Sequence, residues 1–245
     1  MDQIINQIHN AKHLLIASHS DPDADAVSSL LALGLAIGKL DKKVTIYNAS
    51  PIPAVYRFLP NVERIVRHVK KANTYDVALI LDCGDLPRIG EAEDTICKIP
   101  VVINIDHHVS NSGFGDIQLV DPEACSTAEL VYRLIKALDV PIDLATATSI
   151  YTGILTDTGS FRFSNTNPAA FAISREMTEL GVEPYNVAQH VYGTYSLGRI
   201  KLLNLALDSI EISENGKLSV MTVTSSMLAE TKTQPEDVDG MINYA

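Results

Sequence analysis

The chain has 245 residues, 46% of them hydrophobic and 20% charged, the balance of a globular protein with core enough for one large or two modest domains. No apolar run reaches the length of a membrane span, and the start, Met1 to Asn6, lacks the basic and apolar stretches of a secretion signal. The formal net charge of −11 argues against long nucleic acid as a partner, which wants a basic face, and leaves small anionic substrates open.

In chain order, apolar runs at 13–18, 43–47, 76–82, 101–106 and 117–121 predict five strands. Continuous Val, Ile and Leu runs suit a mainly parallel sheet covered by helices on both faces. Between the first two, residues 24–40 place Val27, Leu30, Leu31, Gly34 and Ile37 at helical spacing, and Gly34 and Gly38 would permit close approach to the sheet. Residues 126–138 put Leu130, Leu134 and Leu138 on one stripe. Residues 143–157, polar only at the start, predict a helix buried nearly all round, followed by helices over 168–180, 184–192 and from 196. His68 and His190 fall in predicted helices and read as structural. Three cysteines, Cys83, Cys97 and Cys125, show no CxxC spacing, and the odd number suits a reducing cytoplasm.

The tail changes character. Leu207 to Ile212, the turn Ser213-Glu214-Asn215-Gly216 and Lys217 to Thr224 predict a hairpin, with a short helix after it. A hairpin and a helix are too little for an independent domain. The expected organisation is an α/β layered domain over 1–180, a helical linker over 181–206 and an incomplete second α/β domain over 207–245.

Three of the predicted strands run into groups that ligate hard metals. The first leads to His19-Ser20-Asp21-Pro22-Asp23-Ala24-Asp25, where His19 and Asp23 can meet one cation while Asp25 points to a second. Asp-Pro-Asp is equally a common helix start. The second ends at Asp82, whose two oxygens could bridge two cations, or which could simply form the turn Asp82-Cys83-Gly84-Asp85. The third ends at Asp106-His107-His108. Adjacent strand residues face opposite ways, so both imidazoles reach one site only if the strand has already ended. His107 is read as a ligand, His108 as a donor toward substrate and Asp106 as the group that orients a histidine. A fourth group, Asp157, closes the buried helix, where the helix dipole disfavours an anion unless a cation is near; a C-terminal turn at Gly159 is the plainer reading. Carboxylates with imidazole favour manganese, magnesium or zinc, and paired cations are a standard device for attack of water on a phosphate ester. Ser126-Thr127-Ala128-Glu129 fits a capping box. Arg162, between Phe161 and Phe163, could hold a phosphate or simply lie on the surface, and Arg88 shares that ambiguity.

Taken together, His19-Ser-Asp-Pro-Asp23-Ala-Asp25-Ala, Asp82, Asp106-His107-His108 and Thr156-Asp157-Thr158-Gly159 resemble the DHH phosphoesterase family. Gly159 to Phe163 and Ser126 to Glu129 carry a closer likeness to its stand-alone oligoribonucleases that also dephosphorylate 3′-phosphoadenosine 5′-phosphate (pAp). The resemblance implies two manganese ions, with magnesium the alternative. His19, Asp23 and Asp82 would hold one; Asp25, Asp82, His107 and Asp157 would hold the other; His108 would face the scissile phosphate. It implies short oligoribonucleotides cut from the 3′ end, or pAp, as substrates, no membrane partner, a cytoplasmic setting, and room for a homodimer. It also implies a second domain with a glycine-rich, substrate-capturing segment. Val238 to Tyr244 looks like the approach to it, and no such segment follows. Manganese-dependent pyrophosphatase, cyclic-dinucleotide cleavage and a silent metal-binding interaction module are the competing readings.

Overall fold

A computed structural model describes residues 1–193, 196–238 and 240–245. Asp239, in the segment read as an approach to a second domain, lies outside the described residues. The chain divides into two compact units, Met1–Val187 and Ala188–Ala245.

The first unit opens with α1 (Asp2–Asn10) and is built on a six-stranded sheet of β1 (His13–Ser18), β2 (Lys43–Tyr47), β3 (Ile65–Val66), β4 (Val77–Leu81), β5 (Val101–Asp106) and β6 (Ile117–Val120). The order is β3-β2-β1-β4-β5-β6, and every pair is parallel. The five expected strands are present. The sixth, β3, is two residues long, too short to leave a pattern in the sequence. Central β4 is buried throughout, as its Val-Ala-Leu-Ile-Leu run requires of a strand covered on both faces.

Helix α2 (Ala24–Gly38) begins at Asp23, whose side chain accepts from the Ala26 amide. It packs on the sheet and against α5 (Leu144–Asp157), which explains why both helices are apolar nearly all round. Gly34 is needed for this approach, since a Cβ there would sit 2.4 Å from the Ile46 side chain. Gly38 is not: a Cβ there would meet only the tip of Arg64 at 3.9 Å, so its expected packing role is corrected. After β4 come α3 (Glu93–Ile96), then α4 (Thr127–Ala137) and α6 (Pro168–Glu179), and α7 (Pro184–Tyr192) crosses the division between the units. His68 lies in irregular chain after β3 rather than in a helix.

In the second unit α8 (Leu197–Asp208) runs one residue past Leu207, where a strand was expected to start. The hairpin is reduced to β7 (Glu211–Ile212) and β8 (Ser219–Val220), antiparallel, with Gly216 at φ +64° in the turn. The Ser209 hydroxyl donates to the Thr222 carbonyl and accepts from its amide, which ends the ladder early. Leu202, Ala206 and Met241 form a small core with α9 (Ser225–Thr231).

Candidate metal centre

Strand β1 connects to β2 on one side of the sheet, while β4 lies on its other side. The crevice at the carboxyl ends of β1 and β4 is therefore the topological switch point, the usual ligand position in an open parallel sheet. His19 follows the end of β1, Asp82 the end of β4, and Asp106 closes β5. Asp23 and Asp25 come from the start of α2, and Asp157 is the last residue of α5. Three groups of donor atoms each lie within 4.8 Å of one another: His19 with Asp23 and Asp82, Asp82 with His107 and His108, and Asp25 with His107 and Asp157.

Asp82 occupies the middle. It is buried and adopts φ +53°, a left-handed conformation that aspartate tolerates better than most residues. One oxygen, Oδ1, accepts from the Thr127 hydroxyl at 2.9 Å and lies 3.7 Å from His108 Nδ1 and 3.9 Å from His107 Nε2. The other, Oδ2, is buried without a hydrogen-bond partner among the described residues, and His19 Nε2 stands 3.6 Å away. Leaving a buried carboxylate oxygen unsatisfied is costly. The chemistry of this donor set, oxygen and imidazole around an orphaned anionic oxygen, fits a divalent cation.

The other carboxylates carry the same message. Asp25 is fully enclosed; its Oδ2 accepts from the Thr127 amide at 2.6 Å and its Oδ1 from the Ala128 amide at 3.0 Å, both at the start of α4. Even so, burial and then repulsion by Asp82, Asp157 and Asp23 push its pKa well above the ordinary range. Asp23 shows considerable surface, yet it lies in a crowded cleft, and that enclosure followed by Asp82 raises its pKa. Enclosure, then Asp82 and Asp23, push Asp157 up to about 7. Its Oδ2 lies 3.5 Å from His107 Nε2 and accepts from Asn165 at 3.3 Å. Three carboxylates with raised pKa values, gathered around Asp82, form a site short of positive charge. For His19, burial lowers the pKa, but the Asp82 carboxylate and the Ser20 carbonyl at 2.7 Å outweigh it and the net shift is upward.

Strand β5 ends at Asp106, and that settles the steric question about the two histidines. Their rings lie side by side, centroids 4.7 Å apart, and both turn toward Asp82. Asp106 is wholly buried and saturated: Oδ1 accepts from His108 Nδ1 at 2.7 Å and from the His107 amide, and Oδ2 accepts from Asn111 at 2.6 Å. Burial would raise its pKa, but these bonds prevail and lower it. The Asp106 bond, against burial, lifts His108 to about 9.

Sequence reading missed Thr127, Asn111 and Asn165, single polar residues whose role depends on partners 8 to 45 positions away or, for Asn111, on the fold of its own loop. The capping box is half as expected: Ser126 Oγ accepts from the Glu129 amide, but Glu129 Oε2 accepts from the Cys125 amide rather than that of Ser126. Arg162 is brought together with its own loop rather than with the cluster. Its Nε donates to the Gly159 carbonyl at 2.6 Å and its guanidinium lies 6.0 Å from the Phe163 ring.

A doubly wound parallel sheet with a carboxylate–imidazole centre at its switch point defines a class of α/β proteins equipped to bind metal. Within that class, the chain belongs to the DHH family: the DHH family N-terminal domain matches residues 13–154. Residues of this chain are 39% identical over 173 positions to the bifunctional oligoribonuclease and PAP phosphatase NrnA of Thermus thermophilus, covering 69% of this chain and 51% of that one. The chain thus spans about half the length of that relative. It is 26% identical over 245 positions to a probable manganese-dependent inorganic pyrophosphatase of Streptococcus equi subsp. equi, covering 94% of this chain and 76% of that one. Among solved structures, an exopolyphosphatase-related protein from Bacteroides fragilis superposes with a TM-score of 0.90 at 28% identity, over 99% of this chain and 74% of that one. Among the described residues, no helix is long and apolar enough to cross a membrane.

Proposed function

We propose that this chain is a metal-dependent phosphoesterase that hydrolyses short oligoribonucleotides from the 3′ end and removes phosphate from pAp. The observation that carries the reading is the buried Asp82 Oδ2, without a hydrogen-bond partner among the described residues, on a carboxylate common to two of the three carboxylate–imidazole groups. The name of the Thermus relative supports the substrate class. His19, Asp23 and Asp82 suit one cation, and Asp25, Asp82, His107 and Asp157 a second, with Asp82 shared; manganese is the preferred ion and magnesium the alternative. When bound, such a pair supplies Lewis-acid stabilisation of a phosphoryl group and an activated water.

The chain's own residues do the rest. Thr127 braces Asp82 and Asn165 braces Asp157. Asp106 holds the His108 Nδ1 proton, so the ring keeps its orientation and offers Nε2 to a phosphoryl or leaving oxygen. Asn111 anchors the far oxygen of Asp106.

The test is a substrate panel with manganese: pAp, a ribodinucleotide, a cyclic dinucleotide and pyrophosphate. Phosphate from pAp and mononucleotides from the dinucleotide are expected. Hydrolysis of pyrophosphate alone would select the second reading, which the likeness to the streptococcal pyrophosphatase favours. The variant His108→Ala should lose ~100-fold or more in kcat, the scale of general acid–base help, while keeping its manganese-induced thermal shift. A metal-binding module without activity would show the shift and no turnover in either protein.

A further inference from the structure

The carboxyl edge of the sheet continues past the metal centre on the β2–β3 side, and its chemistry changes sign there. Val66, Tyr47, Ala17 and Ile80 share one row across β3, β2, β1 and β4. His19, Ala49 and Asp82 each follow that row by two residues, and Arg67 follows it by one. Arg67 therefore leaves the sheet at the height of the cluster, two strand spacings from β1, or about 10 Å. Its guanidinium turns back to the chain that continues β2: Nε and Nη2 donate to the Ala49 carbonyl at 3.3 and 3.1 Å. Two of its five N–H groups are used, leaving three for a ligand.

The ground between Arg67 and the cluster is continuous. The Ser20 amide, next to His19, donates to the Arg88 carbonyl at 2.7 Å. A Cβ on Gly90 would lie 3.1 Å from the Ala49 side chain and 3.8 Å from that of Ser20, so residues 88–90 fill the gap between them. Arg88, Arg67 and His68 are exposed, and among the described residues neither arginine makes a salt bridge. Arg67 also lines a cavity of about 220 Å³, with Tyr47, His68, Val69, Glu91 and Thr95 among the others. In a chain of net charge −11, two exposed arginines that enter no salt bridge among the described residues, set between an anionic metal centre and a cavity, put positive charge where an anionic ligand could use it.

We propose that Arg88, Arg67 and this cavity form a second subsite, which takes the part of a short oligoribonucleotide lying beyond the scissile phosphate. The inference rests on the phosphoesterase reading. The arginines bind the flanking phosphates bidentately, and the cavity accepts one nucleoside, with Glu91 and Thr95 available to ribose hydroxyls. A dinucleotide engages the metal centre without reaching Arg67; a tetranucleotide reaches both.

Steady-state kinetics on a ribodinucleotide and a ribotetranucleotide with manganese test this. Arg67→Glu should raise KM for the tetranucleotide about tenfold, the worth of one charge-assisted hydrogen bond, and leave the dinucleotide within about twofold. The slope of log KM against log salt for the tetranucleotide should fall by ~0.7, the share of one neutralised phosphate on a single strand. Because Arg67 also anchors Ala49, Arg67→Lys is the second variant: it should keep most of the tetranucleotide affinity. Equal tetranucleotide KM in Arg67→Glu and the parent overturns the subsite, and so does equal weakening in the Lys and Glu variants. If the parent cleaves neither oligonucleotide, the phosphoesterase reading fails instead. Anisotropy of a fluorescent tetranucleotide then decides the subsite alone, with weakening in Arg67→Glu supporting it and unchanged binding overturning it.

Discussion

At the scale of single residues, Asp82 shows how a site is assembled against local preference. A buried aspartate with a left-handed backbone and one unsatisfied oxygen costs stability in the folded chain, and strain of this kind collects at functional positions. Asparagine tolerates the same backbone and removes the charge. Asp82→Asn should therefore leave the metal-free chain at least as stable as the parent and abolish stabilisation by manganese. At a concentration a hundredfold above Kd that stabilisation is ~2.7 kcal/mol, so paired thermal melts with and without metal resolve it. A variant that still gains stability from manganese would remove Asp82 from the centre. The candidate donors were readable in the sequence because three strands run into one and the others sit at helix ends. The bracing residues were not: Thr127, Asn111 and Asn165 are ordinary polar residues until folding sets them beside Asp82, Asp106 and Asp157.

At the scale of elements, two helices govern how well the site is held. Gly153 lies in α5 where α5 faces α2 and α4, and a Cβ there would come within 2.6 Å of Ala128 Cβ and 2.8 Å of Asp25 Oδ1. Gly153→Ala gains up to ~1 kcal/mol in helix propensity, but overpacking costs ~1–3 kcal/mol, and the second wins because α2 and α4 have no slack at this point. Urea unfolding should show a net loss of stability, and isothermal titration should show weaker manganese binding as Asp25 is displaced. The start of α5 supplies a pH test away from the site. Asp143 caps the helix through the Thr146 amide at 2.9 Å and pairs with Lys39 at 2.9 Å. Partial burial works against its charge, yet the Thr146 amide and Lys39 prevail and hold its pKa at about 2. That is below the ~3.9 of an unfolded aspartate, so its contribution is complete above that value and fades as pH falls toward 2. Asp143→Ala should cost ~1 kcal/mol at pH 7, with the gap between parent and variant narrowing below about pH 4. A gap that widens on acidification would contradict the assignment. These helices were legible because their apolar spacing and capping residues are local signals. Strand β3 was not, since two residues carry no period and its place comes from pairing with β2.

At the scale of the whole molecule, the candidate donors found among the described residues all lie within residues 1–187. The tail was the part least legible in the sequence. Two runs flanking an Asn-Gly turn predicted longer strands, but α8 continues to Asp208 and the ladder keeps two residues on each side, where Ser209 bonds the backbone of Thr222. A short ladder over a small core of Leu202, Ala206 and Met241 buries little apolar area, so this unit should open at lower free energy than the parallel sheet. Metal binding couples to folding only where it changes the ligand-bearing elements. Hydrogen exchange should then be slow in β1, β4 and β5 and faster in β7 and β8 before metal is added. Manganese should slow exchange further at residues 19–27, 82–85, 106–112 and 125–128, the segments that carry or brace the ligands, and leave 211–220 unchanged. Equal protection of both units would mean that the metal stabilises the chain as one cooperative body. Protection confined to 211–220 would place the binding site outside the crevice between β1 and β4.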